Sequence, residues 1–406
     1  MFTRFLFKPH ESIKVILAIL LSVIIITSFS SCAIKNNSEQ NHLVYYTLND
    51  EDALSWITEK YNKYCINSNN PSFQVEIVKF DSEQEMSTQI STEIMAGSGP
   101  DIISLSQKLP FEKLIESRSL MNIYDLLKDD NSSNAINLDD YNVNILNAGV
   151  YDNGLYIVPL FYGVDVLVST EERLKNFNIK ENNGFSLTYS NFSDVFENYF
   201  LNDEGYSFVS NELSDFLWFD YPMQLFCRFL NSYVDFENKA VYFDTDEFKD
   251  NLDVMMQMLT ISQKNNTNEL FDGLYINRSF PLMAGSYSYY QSINETPVVF
   301  RGLTKNKDVN SAHIQVGYAI NNNTQLKEQA LAFIKYTLSD EIQEIGATAS
   351  GSLSFPVNMS VYDNAKLVAG SRTDDNNKII GIDNDFMKAY IDICLLYTSP
   401  SPRDRT

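Results

Sequence analysis

TEIMAGSGPDII, Thr92–Ile103, reads as the end of a helix, a glycine turn and the start of a strand. Met86, Ile90 and Ile94 recur at helical spacing upstream of it, and Gly97 stops the helix. Pro100 and Asp101 form a turn that feeds Ile102 and Ile103 into a strand. Further upstream, Phe73 to Phe80 alternates at Val75 and Ile77 and reads as a second strand. Leu43 to Leu48 reads as a first. Between those two, Leu54, Ile57, Tyr61 and Tyr64 mark one face of a helix, with Asn49 to Asp52 as caps. Strands alternating with amphipathic helices predict an α/β lobe with a largely parallel sheet.

The rest of the chain adds fewer landmarks. Gly154 to Val168 is a long extended apolar stretch interrupted by Pro159. His313 to Ile320 is strand-like. Lys327 to Leu338 is amphipathic, with Ala330, Leu331, Phe333, Ile334 and Leu338 on one side. Polar patches at 129–144 and 372–378 read as surface loops. The 406 residues are enough for two domains with substantial cores, and no internal repeat is visible.

A formal charge of −23 argues against nucleic acid and against docking on anionic lipid. The three His (His10, His42, His313) are scattered and there is no CxxC, so no metal site is expected. No nucleophile elbow, phosphate loop, dinucleotide fingerprint or HExxH is present, so neither a cofactor nor a catalytic centre is indicated. Gly97-Ser98-Gly99 alone is weak evidence for phosphate binding. Carboxylates are numerous, which leaves a glycosidase-like pair open.

The leader fixes a compartment. Arg4, Lys8 and Lys14 precede an apolar run from Val15 to Ile26, followed by Ser30, Ser31 and Cys32. The order is that of a secretory signal with a cleavage site, and its apolar core is short for a spanning helix. A Cys after small residues resembles the bacterial lipobox, with Phe29 where an aliphatic residue is usual. The resemblance implies that Cys32 is acylated and that the protein is lipid-anchored outside the cytoplasm. Ala33 to Asn41 then reads as a flexible spacer. Of the other Cys, Cys65 and Cys227 are expected to be buried free thiols, with a bridge between them left open. Cys394 to Asp404, CLLYTSPSPRD, resembles an in-frame translation of a sequencing adapter. That implies residues 394–406 are not natural sequence and that the second lobe is truncated.

Five segments carry a family resemblance. Thr92 to Ile103 is similar to the marker of extracellular solute-binding proteins, family 1, the sugar-binding lipoproteins of ABC importers typified by maltose-binding proteins. Gly154-Leu155-Tyr156 with Pro159 resembles that family's crossing segment. Leu282 to Gly285, Lys327 to Gln343 and Gly351 to Met359 resemble its later motifs, in family order. The resemblance implies an α/β, two-lobed periplasmic-binding-protein-like fold of type II, each lobe a mainly parallel sheet flanked by helices, with hinge crossovers. The expected lobes are 43–158 plus 300–345 and 159–299 plus 346–393, after a leader at 1–31 and a spacer at 32–42.

Ligand is then expected at strand C-termini and helix N-termini between the lobes. Those places are Asn49 and Asp50, Ser104 and Gln107, with Tyr162 and Asp165 from the crossover. A sugar needs short polar groups for its hydroxyls and flat aromatics for its faces. By resemblance to maltose-type binders, Trp218 and Tyr221 in FLWFDYP and Tyr287 in AGSYSYY are the aromatics. Trp218 reads equally well as a core residue, whereas Tyr287, among three nearby Tyr, is expected to be partly exposed. Asp101 reads as a turn carboxylate, and Asn49 and Asp50 also read as helix caps.

The expected function is a monomeric, non-enzymatic carbohydrate-binding lipoprotein that serves an ABC permease and contacts the membrane through its lipid. A surface glycan-degrading enzyme and a ligand sensor for a membrane kinase are the alternatives.

Overall fold

The structure is a computed structural model. It describes residues 42–48, 53–105, 109–128, 130, 132, 134–164, 166–171, 186–188, 226, 229–230, 232–235, 240–264, 275–277, 287, 290–304, 312–348, 355–361, 372–373, 379–380, 385–386 and 388–389. The leader, Cys32, the spacer, Cys227 and the 394–406 tail lie outside the described residues.

The first sheet starts with β1 (Leu43–Leu48), which alternates buried and half-buried positions. Leu43, Tyr45 and Thr47 point into the core. Helix α1 (Ala53–Asn67) covers that face with Leu54, Ile57, Tyr61 and Cys65. This stripe drifts from the expected one at its end: Tyr64 is 52 % exposed and Cys65 takes the inward place. A straight helix advances about 3.6 residues per turn, so i+11 from Leu54 falls nearer the core than i+10. Strand β2 (Val75–Phe80) and helix α2 (Glu83–Met95) follow, then β3 (Ile102–Ser104). Met86, Ile90 and Ile94 of α2 bury against Ile103 on the opposite sheet face. Each such buried aliphatic side chain contributes roughly 2 kcal/mol.

Helix α2 has defined ends. Ser82 caps its start, its hydroxyl accepting from the Glu85 N–H at 3.2 Å. At the other end Gly97 adopts a φ of 78°. Its N–H donates to Ile94 O and the Ser98 N–H to Glu93 O, both at 2.9 Å, the pattern of a Schellman stop. Asp101 then ties three strands together. Its N–H donates to Val44 O at 2.8 Å, its Oδ2 accepts from the Val44 N–H at 2.8 Å, and its O accepts from the Asn321 N–H at 2.9 Å. Asn321, 1 % exposed, donates from Nδ2 to Ser98 O and Pro100 O, each at 3.0 Å.

Short helices α3 (Phe111–Glu116), α4 (Ile123–Lys128) and α5 (Val143–Asn147) precede β4 (Val158–Val164), which is buried along its whole length. Strand β5 (Val166–Thr170) continues into a second sheet with β6 (Ser186–Thr188). Helix α6 (Asp246–Lys264), β7 (Tyr275–Asn277) and β8 (Pro297–Thr304) come next. Strand β9 (Ala312–Ile320) returns to the first sheet, followed by α7 (Lys327–Thr337), α8 (Asp340–Thr348) and β10 (Phe355–Pro356). The strand orders are β10-β4-β9-β3-β1-β2 and β7-β5-β8-β6.

Both sheets are mixed. The β2-β1-β3 part is parallel, as the strand–helix alternation predicts, but β9 pairs antiparallel with both β3 and β4. The chain re-enters from the second sheet, so β9 arrives in the reverse direction. Val158–Val164 and Phe355–Pro356 pair within the first sheet, and Pro297–Thr304 within the second. Pro159 suggested a crossing point, yet it sits inside a strand. Register shifts in β9 between Ile314 and Gly317 fall opposite it and absorb its missing N–H.

Helix α8 seats against β4 at Gly346, where an added Cβ would lie 2.1 Å from Phe161 Cζ. Leu331 of α7 is half-buried, and Thr337 completes the inward stripe, its hydroxyl 2.8 Å from that of Tyr318. A buried polar bracket holds β10. Gln343 Oε1 accepts from the Asn358 N–H at 3.1 Å, and Gln343 Nε2 donates to Thr337 O at 3.0 Å. Asn358 Nδ2 donates to Asp340 Oδ1 at 2.8 Å.

Candidate functional site

Three parallel strands of the first sheet end on one edge. Leu48 of β1 lies opposite Phe80 of β2. Strand β3 ends at Ser104, one residue past the Tyr46–Ile103 pair. Ligands of open α/β sheets gather outside such carboxyl ends. Ser104 is half-buried and Leu48 and Phe80 are partly exposed, so the edge offers a hydroxyl beside apolar surface. Asp81 and Ser82, directly after β2, are exposed. Asp81 was not among the residues expected at this edge, although β2 shows the same strand–turn–helix signal as β1 and β3.

Tyr46 stands beside this edge. Its ring packs on Phe80 with centroids 5.0 Å apart, and its hydroxyl donates to Glu93 Oε2 at 2.9 Å. Burial, helped by the Glu93 carboxylate, raises the phenol above its ordinary value, so it stays a donor. Glu93 also accepts from Gln89 Nε2 at 2.7 Å. A shallow groove runs along α2, lined by Ser82, Glu85, Thr88, Gln89, Thr92 and Glu93. It presents hydroxyls, amides and carboxylates from a single helix. Among the described residues, no three His, Cys, Asp or Glu side chains are placed to hold a metal ion.

The structure places three of the nine expected ligand residues. Ser104 lies at the strand edge. Tyr162 is fully buried in β4: its hydroxyl accepts from Asn142 Nδ2 at 3.2 Å and its ring packs 5.6 Å from that of Phe355. All seven residues of β4 are buried, so both faces of the strand are covered. Tyr287 is also fully buried, against the exposure expected. Its hydroxyl accepts from Gln291 Nε2 at 2.8 Å, and its ring meets Phe386 edge-on at 4.7 Å. Tyr287 and Tyr290 share a helical face, and the ring that covers Tyr287 comes from far along the chain, which local sequence does not show. Asn49, Asp50, Gln107, Asp165, Trp218 and Tyr221 lie outside the described residues.

Asp101 lies at the opposite edge of the sheet, where β3 begins. Burial raises its carboxyl above the ordinary range, against the lowering effect of bonds from Thr324 and the Val44 N–H. The TEIMAGSGPDII segment is thus a packing junction that closes a helix and aligns three strands. Cys65 is a buried free thiol, and burial pushes it up as well.

The model of the bacterial extracellular solute-binding proteins matches residues 56–372. The chain belongs to that family. Solved structures agree on the fold of this solute-binding protein. An ABC substrate-binding protein from Listeria monocytogenes in complex with cycloalternan superposes with a TM-score of 0.57 at 13% identity, covering 88% of each chain. An extracellular solute-binding protein of family 1 from Alicyclobacillus acidocaldarius gives 0.58 at 12% identity, over 89% of this chain and 87% of that one. A cyclic α-maltosyl-1,6-maltose binding protein from Arthrobacter globiformis gives 0.56 at 14% identity over 89% of each. No curated protein sequence matches the chain. The fold is the two-lobed α/β fold of type II periplasmic-binding proteins, with mixed sheets.

Proposed function

We propose that this solute-binding protein takes a carbohydrate between its two lobes and hands it to the permease of an ABC importer. The observation that carries the reading is the ligand class of its structural neighbours, cycloalternan and cyclic maltosyl-maltose among them. The strand edge supports it with hydroxyl and carboxylate groups beside partly exposed Leu48 and Phe80, the mixture a sugar's polar rim and apolar face require.

Asn49, Asp50, Asp81, Ser104 and Gln107 are assigned to the first-sheet side of the site. Asp165, Trp218 and Tyr221 are assigned to the crossover and second-lobe side. Tyr162 and Tyr287 are reassigned as packing residues behind it. Lobe limits are taken to follow sheet membership. Ligand binds the closed arrangement better and shifts the population towards it, with no bond made or broken. Acylation of Cys32 tethers the monomer outside the cytoplasm, with Ala33 to Asn41 as the leash that keeps it near its permease.

Thermal unfolding against a panel of mono- and oligosaccharides tests the reading. A bound sugar at a hundred times its Kd adds about 2.7 kcal/mol, a readable rise in midpoint. A midpoint raised by amino acids and by no sugar would remove the carbohydrate assignment.

A further inference from the structure

We propose that Asp130, Ser132 and Asn134 form a cation cradle whose resident cation is the ammonium of Lys335. The three oxygen-bearing residues alternate along the loop after α4, and Lys335 reaches them from the last turn of α7, some two hundred positions away. Lys335 Nζ lies 2.6 Å from Asp130 Oδ2, 2.6 Å from Ser132 Oγ and 3.1 Å from Asn134 Oδ1. Alternating oxygen donors at positions one, three and five are how Ca²⁺ loops begin to wrap an ion.

The loop is shaped around that point. Asp130 Oδ1 accepts from the Ser132 N–H at 3.1 Å and from the Ser132 hydroxyl at 2.7 Å, which fixes the turn. The same hydroxyl is 2.8 Å from Asn134 Oδ1, and its single proton serves one acceptor at a time. Asp130 Oδ2 has no hydrogen bond of good geometry and faces the ammonium alone, with its side chain 5 % exposed. An oxygen so buried and aimed is held by charge. An ammonium has three donors and no need of dehydrated octahedral geometry, so it fills the cradle without any ion from the medium. Lys335 is thus a tethered substitute for a metal, and it makes the order of this loop independent of external calcium.

The test removes the tether and offers the ion. Lys335→Ala, in the full chain, is expected to be cut faster by protease at 129–134, and CaCl₂ is expected to restore protection. Calorimetry of Lys335→Ala with CaCl₂ should show one site with a Kd of about 10⁻³ M, the range of weak extracellular calcium modules. The wild-type chain should show no such site. The double variant Asp130→Ala/Lys335→Ala separates the cradle from diffuse ion binding to an acidic surface, and should show neither heat nor rescue. Circular dichroism identical to wild type confirms that the variants fold. A folded Lys335→Ala chain that calcium neither binds nor protects overturns the proposal, as does rescue that persists in the double variant.

Discussion

Asp101 shows how one residue serves a junction. Its carboxylate satisfies the Val44 N–H inside the sheet, while burial raises the cost of its charge. A carboxyl raised by burial adds most to stability below its ordinary value and loses that contribution as pH rises through the raised one. Asp101→Asn keeps an acceptor and sheds the charge, so its unfolding midpoint at neutral pH should stay at or above wild type. Asp101→Ala strands a buried N–H and should lose about 1–3 kcal/mol in urea unfolding. Gly346→Ala should lose a similar amount, about 1–3 kcal/mol, because its methyl meets Phe161 inside the core. The stop at Gly97 was legible because a Schellman end needs only a local residue with freedom at positive φ. The burial of Tyr162 and Tyr287 was not, because Asn142, Phe355 and Phe386 supply their surroundings from distant sequence.

Elements joined by buried polar groups fail together. Gln343 couples α7, α8 and the segment after β10 through Thr337 O and the Asn358 N–H. Gln343→Ala leaves both without a partner and should cost about 3 kcal/mol in chemical unfolding. The loop after α4 carries the pH signature. The Lys335 ammonium beside it, helped by the bonds from Ser132, holds the Asp130 carboxyl at about 2, against an ordinary 3.8. Its contribution is therefore complete above pH 3.8 and is lost as pH falls through about 2. The carboxylate is locally shielded but shallow in the molecule, so salt should weaken the effect. An Asp130→Asn chain should show a flatter midpoint between pH 4 and 2, and an unchanged slope would dismiss the pair. Local strand and helix periods were readable at this scale. The mixed direction of β9 was not, since strand pairing between residues some 150 positions apart leaves no trace in either segment.

The whole molecule is a solute-binding protein whose first sheet is assembled from three separated stretches, 43–104, 158–164 and 312–356. Ordered motifs made the family legible, and Thr92–Ile103 among them marks a junction that the fold needs. The ligand site proposed here was read only from strand ends, because loop side chains follow no period. The proposed acylation is tested at this scale too: Cys32→Ser should move the protein from the membrane fraction to the soluble one, and an unchanged fraction would make the leader a plain anchor. The most direct measurement is isothermal calorimetry of the chain lacking its leader against oligosaccharides, monosaccharides, amino acids and divalent metals. The account predicts saturable heat with one carbohydrate per chain and none with amino acids. Silence across the sugars with a saturable response to an amino acid or a metal would contradict it.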